Sequence, residues 1–443
     1  MKSINDILFS PKKYYTLVFF RVIFGIVTLV SSVRFLLKGW VNELFLEPSF
    51  HFKYYGFDWI KELGIVEMYS LFGLMIVCSI FIAIGFLYRF AIVLFFLLFS
   101  YFELIDLTNY LNHYYFVSLM AFVLVFLPAN CNFSLDAKFQ LVKRRQLIPA
   151  WTIGIIVLQL SIVYFYAGIA KLNYDWLIEA NPLKIWLAPH SNLPIIGQFM
   201  DEPITAYLFS WGGAIFDLSV PFLLLFKKTR WIGYTLVVVF HSVTSILFPI
   251  GVFPFVMIAC TLVFFSQDFH KKIISYFANT EDQIDIKNAS NKVKNKSVVF
   301  LFLSVFVIFQ LLFPLRYLLY NNDLFYTEQG YRFSWRVMLM EKVGYANFKI
   351  HPFSDSRSIT IDNRDYLTPQ QEKMLSTQPD FILQYAHYLG EIYSNQYEEQ
   401  VEVKADIFVT INGCPSQRYV KKDLDLMQIK NDLKPIDWLE EYK

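Results

Sequence analysis

Charge is what this chain has least of. Only 17% of its 443 residues are Asp, Glu, Lys or Arg, against about a quarter in soluble domains. That shortage excludes an ordinary water-soluble globule. Cysteine is scarce too. Cys78, Cys131, Cys260 and Cys414 show no CxxC spacing, and two of them fall inside apolar runs, so disulfides do not frame the fold. The seven histidines are scattered with no HxxxH or HxxE pair, which argues against a metal centre. No phosphate loop, nucleophile elbow or HExxH motif appears. No basic, aromatic-interleaved surface points to nucleic acid, and a net charge of +2 selects no partner.

What fills the space is apolar. Hydrophobic residues make up 56% of the chain and aromatics 19%, with a mean hydropathy of +0.42. Several runs exceed the roughly 18 residues needed to cross a bilayer. The expected fold is a polytopic α-helical membrane protein of about nine spans, at 14–37, 67–87, 89–105, 113–129, 151–171, 204–226, 231–248, 250–267 and 297–317. The first run is long enough to span and lacks a small-residue cleavage site, so it reads as a retained helix rather than a signal peptide. Lysine and arginine concentrate in alternate loops, such as Lys143-Arg144-Arg145 and Lys227-Lys228. By the positive-inside rule the N-terminus is cytoplasmic and the C-terminal part outside.

Composition turns soluble in character after Pro314. The division expected is 1–317 for the membrane part and 318–443 for a small α+β extracytoplasmic domain. In that domain 348–361 reads as a hairpin, Thr368-Pro-Gln-Gln as the cap of a helix running towards Tyr393, and Val401–Ile411 as a strand. The polar inner stretch 267–296 lacks periodicity and reads as a flexible linker. The aromatic loop 48–64 suits an interfacial belt, or else a lid. Arg21, inside the first span, needs a carboxylate or carbonyl partner, and Asp217, the only acid inside the sixth span, is a candidate for it.

The expected topology draws polar residues of separate spans to one outward level: Glu103 and Asp106, Asn112-His113, Lys171 and His241. Lys171 closes an apolar segment and has two readings. It is an ammonium snorkelling to the headgroups, or an amine that burial keeps neutral and therefore basic.

Particular blocks then narrow the choice. They are Asn112-His-Tyr-Tyr115, Tyr166-Ala-Gly-Ile-Ala-Lys-Leu-Asn-Tyr-Asp-Trp176, Phe240-His241 with Phe248-Pro-Ile-Gly-Val-Phe-Pro254, Phe313-Pro-Leu-Arg316, and Thr327-Glu-Gln-Gly-Tyr-Arg-Phe-Ser-Trp-Arg-Val-Met338. In this order they resemble the vitamin K-dependent gamma-carboxylase family and its bacterial relatives, the horizontally transferred transmembrane domain proteins. The resemblance covers residues 10 to 345. The tail after about 350 does not visibly match, and the large luminal portion of the animal enzymes is mostly absent.

The resemblance implies a membrane enzyme in which an amine base deprotonates a vitamin K hydroquinone. Oxygen then adds, a γ-proton leaves a glutamate side chain, carbon dioxide traps the carbanion, and the quinone departs as its epoxide. It implies Lys171 as the base and His113 as an assistant in carboxylation. Tyr166, Trp176, His241, Asn112 and Trp335 are the expected walls for the quinol, whether reduced vitamin K or menaquinol, with its isoprenoid tail in lipid. Lipid and a glutamate-containing protein or peptide are the implied partners, and a bacterial inner membrane the implied location. Two alternatives stay open: quinol epoxidation without carboxylation, and a non-catalytic quinone-binding or scaffold protein.

Overall fold

A computed structural model describes residues 3–278, 295–354 and 357–442. Helices occupy all nine expected positions. They are α1 (Tyr15–Leu37), α2 (Ile65–Ile84), α3 (Tyr88–Ile105), α4 (Asn112–Phe126), α5 (Trp151–Ala170), α6 (Pro203–Leu225), α7 (Arg230–Leu247), α8 (Phe253–Thr261, prolonged as a tighter turn to Phe264) and α10 (Lys296–Leu312). Among the described residues seven are long and apolar enough to cross a membrane, or eight if one bent pair counts as a span.

The count of nine is thus corrected at two places. Helix α4 has 15 residues, about 22 Å at 1.5 Å per residue. The eighth helix, Phe253–Phe264, is short, because at the expected end of its span the chain bends by 110° and continues as α9 (Gln267–Ser275). Ser266 caps that new helix, its hydroxyl accepting from the Phe269 amide at 3.2 Å. The start of the expected linker is therefore a helix, seated on α1 through His270, whose Nδ1 lies 3.1 Å from the Thr16 hydroxyl. The rest of that linker, 279–294, lies outside the described residues.

Arg21 is fully buried and finds carbonyls rather than Asp217. Its guanidinium donates to Ala129, Phe133 and Ala83 at 3.0, 2.6 and 3.3 Å. A small ladder of β1 (Pro11–Lys13) and β2 (Leu147–Pro149) clips the entries of α1 and α5 together.

The C-terminal part is an α+β unit, as its patterning suggested. Strands β3 (Lys342–Pro352) and β5 (Val401–Ile411) pair antiparallel from Lys342↔Ile411 to Pro352↔Val401, flanked by β4 (Ile359–Thr360) and β6 (Gln417–Arg418). Alternate residues of β5, from Val401 to Ile411, are buried, as the two-residue period of a half-covered strand requires. The expected hairpin forms between β3 and β4, with residues 355 and 356 outside the described set. The single expected helix is two: α11 (Pro369–Leu375), opened by the Thr368 capping box, and α12 (Pro379–Tyr397).

This unit docks on the bundle partly through the aromatic loop. Phe52 is buried against Phe381 at 4.6 Å between ring centroids, and Phe50 stacks on Tyr388 at 4.4 Å. Asp106 accepts from Gln371 of α11 at 2.8 Å and lies 3.0 Å from His51. The first half of the loop is therefore a clamp, while Tyr55, Phe57 and Trp59 remain exposed.

Candidate functional site

Lys171 sits at the C-terminal end of α5 and is buried. Its Nζ lies 2.7 Å from the Asp217 carboxylate of α6, 3.3 Å from the Ala167 carbonyl and 5.4 Å from the centre of the Trp176 ring. Both charged side chains are only 7% exposed. A snorkelling lysine would reach for water, so this placement rules against that reading. The approach of α5 to α6 sets the pair. A Cβ at Gly168 would stand 2.8 Å from the Leu218 backbone nitrogen, so only glycine lets the helices close to this distance, one turn from Lys171.

The pair opens on a cavity of about 100 Å³. Val163, Tyr164, Ala167 and Lys171 of α5 face it, spaced as one side of a 3.6-residue helix. Gly213 and Asp217 come from α6, Phe240 and His241 from α7, Phe253 and Met257 from α8, with Trp176 and Trp335 completing an aromatic lining. His241 is held by its Nε2, 3.2 Å from the Tyr164 hydroxyl, which also lies 3.3 Å from Thr261. Trp176 is fixed by donating its indole N–H to the Ser210 carbonyl at 2.8 Å.

One wall comes from outside the bundle. The segment 331–338 enters with Phe333, Trp335 and Met338 in left-handed backbone conformations, at φ of 59°, 60° and 49°. Such backbone is costly for bulky residues and persists only where the surroundings enforce it. Here Asn112 donates to the Arg336 carbonyl at 2.7 Å, and Tyr110 accepts from the Phe333 amide at 2.8 Å. Trp335 is stacked on Tyr115 at 4.9 Å.

Five of the seven residues expected at the site line this cavity: Lys171, Trp176, His241, Asn112 and Trp335. Asn112 uses its amide to hold the inserted segment. Tyr166 is elsewhere, its hydroxyl donating to the Leu311 carbonyl at 2.5 Å. It is about 100° round the helix from Ala167, so it faces α10. His113 lines a second, neighbouring cavity instead. Asp217 is the residue that sequence reasoning assigned elsewhere. A lone acid in a 23-residue apolar helix was the available signal.

The mainly aromatic and aliphatic lining suits a flat apolar ring. Two buried nitrogens of lining residues, His241 Nδ1 and Trp335 Nε1, have no hydrogen-bond partner among the described residues, and such unsatisfied groups are costly and rare. No group of three or more His, Cys, Asp or Glu that could hold a metal ion occurs among the described residues.

Fold and cavity define a multipass membrane protein with an aromatic-walled site beneath an α+β domain. Residues 9–269 match the HTTM domain family, and residues 295–443 match the lumenal domain of the vitamin K-dependent gamma-carboxylase. The chain belongs to this HTTM and gamma-carboxylase family. The second match takes in the tail after 350, correcting the expectation that it falls outside. No solved structure matches the chain.

Proposed function

We propose that this protein is a quinol-driven membrane carboxylase with Lys171 as its base. The observation that carries the reading is the buried Lys171–Asp217 pair on the wall of a water-poor aromatic cavity. In the balanced reaction, reduced vitamin K or menaquinol and O2 yield the quinone epoxide and water. A glutamate γ C–H and CO2 become a new carboxylate and a proton. The quinol supplies, with oxygen, the strong base that this carbon acid requires.

The chain's own part is to hold the ring and handle protons. An ammonium is no base, so Lys171 must first shed its proton. Asp217, at 2.7 Å, offers the place for it. Lys171 so relieved can take a quinol hydroxyl proton. Trp176, Phe240, His241 and Trp335 supply aromatic walls against which the quinol ring can lie. The apolar walls exclude water that would quench reactive species.

His113, in the adjoining cavity, is assigned the assisting role on the carboxylation side. Orientation follows the loop charges, with the C-terminal domain extracytoplasmic and the bundle in a bacterial inner membrane. The test is purified protein in detergent given reduced menaquinone, air, labelled bicarbonate and a glutamate-containing peptide. Epoxide and labelled peptide are expected together. Epoxide alone would favour the epoxidase reading, and no quinol consumption would refute both.

A further inference from the structure

Two cavities share a wall in which one aromatic ring stands between two histidines. Phe253 opens α8 just after the turn Pro249-Ile250-Gly251, where Gly251 has φ of 62° and no atom within 4 Å of where a Cβ would stand. The Phe253 ring centroid lies 5.6 Å from that of His113 and 5.6 Å from that of His241. His241 faces the apolar cavity of about 100 Å³ with Lys171. His113 lines the other, of about 770 Å³. Phe253 lines both.

The two spaces differ in what they can hold. The larger one carries Arg34, Glu103 and Arg336 on its walls. Arg34 and Arg336 lie over Trp40 and Tyr317. Arg336 Nε is buried without a hydrogen-bond partner. Such a lining suits water and a charged, water-borne reactant. The smaller space, apart from the Lys171–Asp217 pair, is walled mainly by aromatic and aliphatic groups. An apolar ring in the wall between two such spaces can break the continuity of water between them.

We propose that Phe253 is the partition between two chambers of one site. The apolar chamber takes the quinol beside Lys171, and the polar chamber takes the water-borne acceptor. This rests on the proposed activity only for the identity of the two occupants. The partition itself is a statement about water, and it can be tested without turnover.

The test uses the full chain in detergent, with Cys414→Ser to remove the exposed thiol and Met257→Cys to place a thiol in the apolar chamber. A negatively charged methanethiosulfonate is the probe, and the same protein without Met257→Cys gives the baseline. With Phe253 intact, modification is slow. Phe253→Ala should accelerate it at least tenfold, and Phe253→Leu, which keeps apolar bulk and spares the fold, by less. Phe255→Ala, on the same helix at a residue 62% exposed, should leave the rate unchanged. Equal rates for Phe253 and Phe253→Ala, or equal acceleration by Phe255→Ala, would overturn the partition. In a turnover assay, Phe253→Ala should raise the quinol consumed per carboxylate formed. Absence of carboxylation in the unsubstituted protein would bear on the proposed activity and leave the labelling result standing.

Discussion

Lys171 and Asp217 should behave as one energetic unit, and a double-mutant cycle measures it. Lys171→Met keeps the length of the side chain and leaves a carboxylate buried with no other hydrogen-bond partner. Asp217→Leu leaves an ammonium with only the Ala167 carbonyl and the Trp176 face. Because both side chains are 7% exposed, neither orphan reaches water. Each single change is expected to cost about 3–5 kcal/mol, the usual penalty for breaking a buried pair. The double change restores an apolar wall and should be within about 2 kcal/mol of the parent, since well-packed hydrophobic replacements of buried pairs are often neutral. The interaction energy is then at least about 4 kcal/mol. Unfolding in detergent by SDS titration, followed by tryptophan fluorescence, reads it out. Additivity of the two singles to within about 0.5 kcal/mol would refute the coupling.

Two more outcomes follow from the same packing and from the topology. Gly168→Ala should cost about 1–3 kcal/mol in the same unfolding assay, the usual price of overpacking, because its Cβ meets the Leu218 backbone. Gly154→Ala on the same helix, where a Cβ meets nothing within 4 Å, should be tolerated. In intact cells an impermeant thiol reagent should modify Cys414, the exposed cysteine, and spare buried Cys78, Cys131 and Cys260; protection of Cys414 until the cells are lysed would reverse the proposed orientation.

The helices were legible because each apolar run is long and bounded by charge or turn residues. The bend after Phe264 falls at the expected end of the eighth span; the helix beyond it was hidden because 267–275 is polar and charged, and only the Ser266 cap marks its start. Lys171 was legible from its place at a helix end. Its partner was not, because a lone acid within an apolar run announces a cost without naming the cation. That choice depends on how closely α5 and α6 approach at Gly168 and Leu218, and Arg21 had carbonyls within reach. Helical spacing alone would have set Tyr166 apart from Lys171, for positions 164, 167 and 171 share a face and 166 does not. The separation of His113 from Lys171 was invisible, since it depends on where the Phe253 ring falls in three dimensions.

The most direct test of the central claim is quinol oxidation by Lys171→Arg. Arginine keeps the charge and can still pair with Asp217, yet a guanidinium does not release its proton near neutral pH. A base role predicts that Lys171→Arg is inactive in epoxide formation although folded, and that Lys171→Ala is inactive but partly restored by a small exogenous amine. Turnover by Lys171→Arg at the rate of the unsubstituted protein would contradict it.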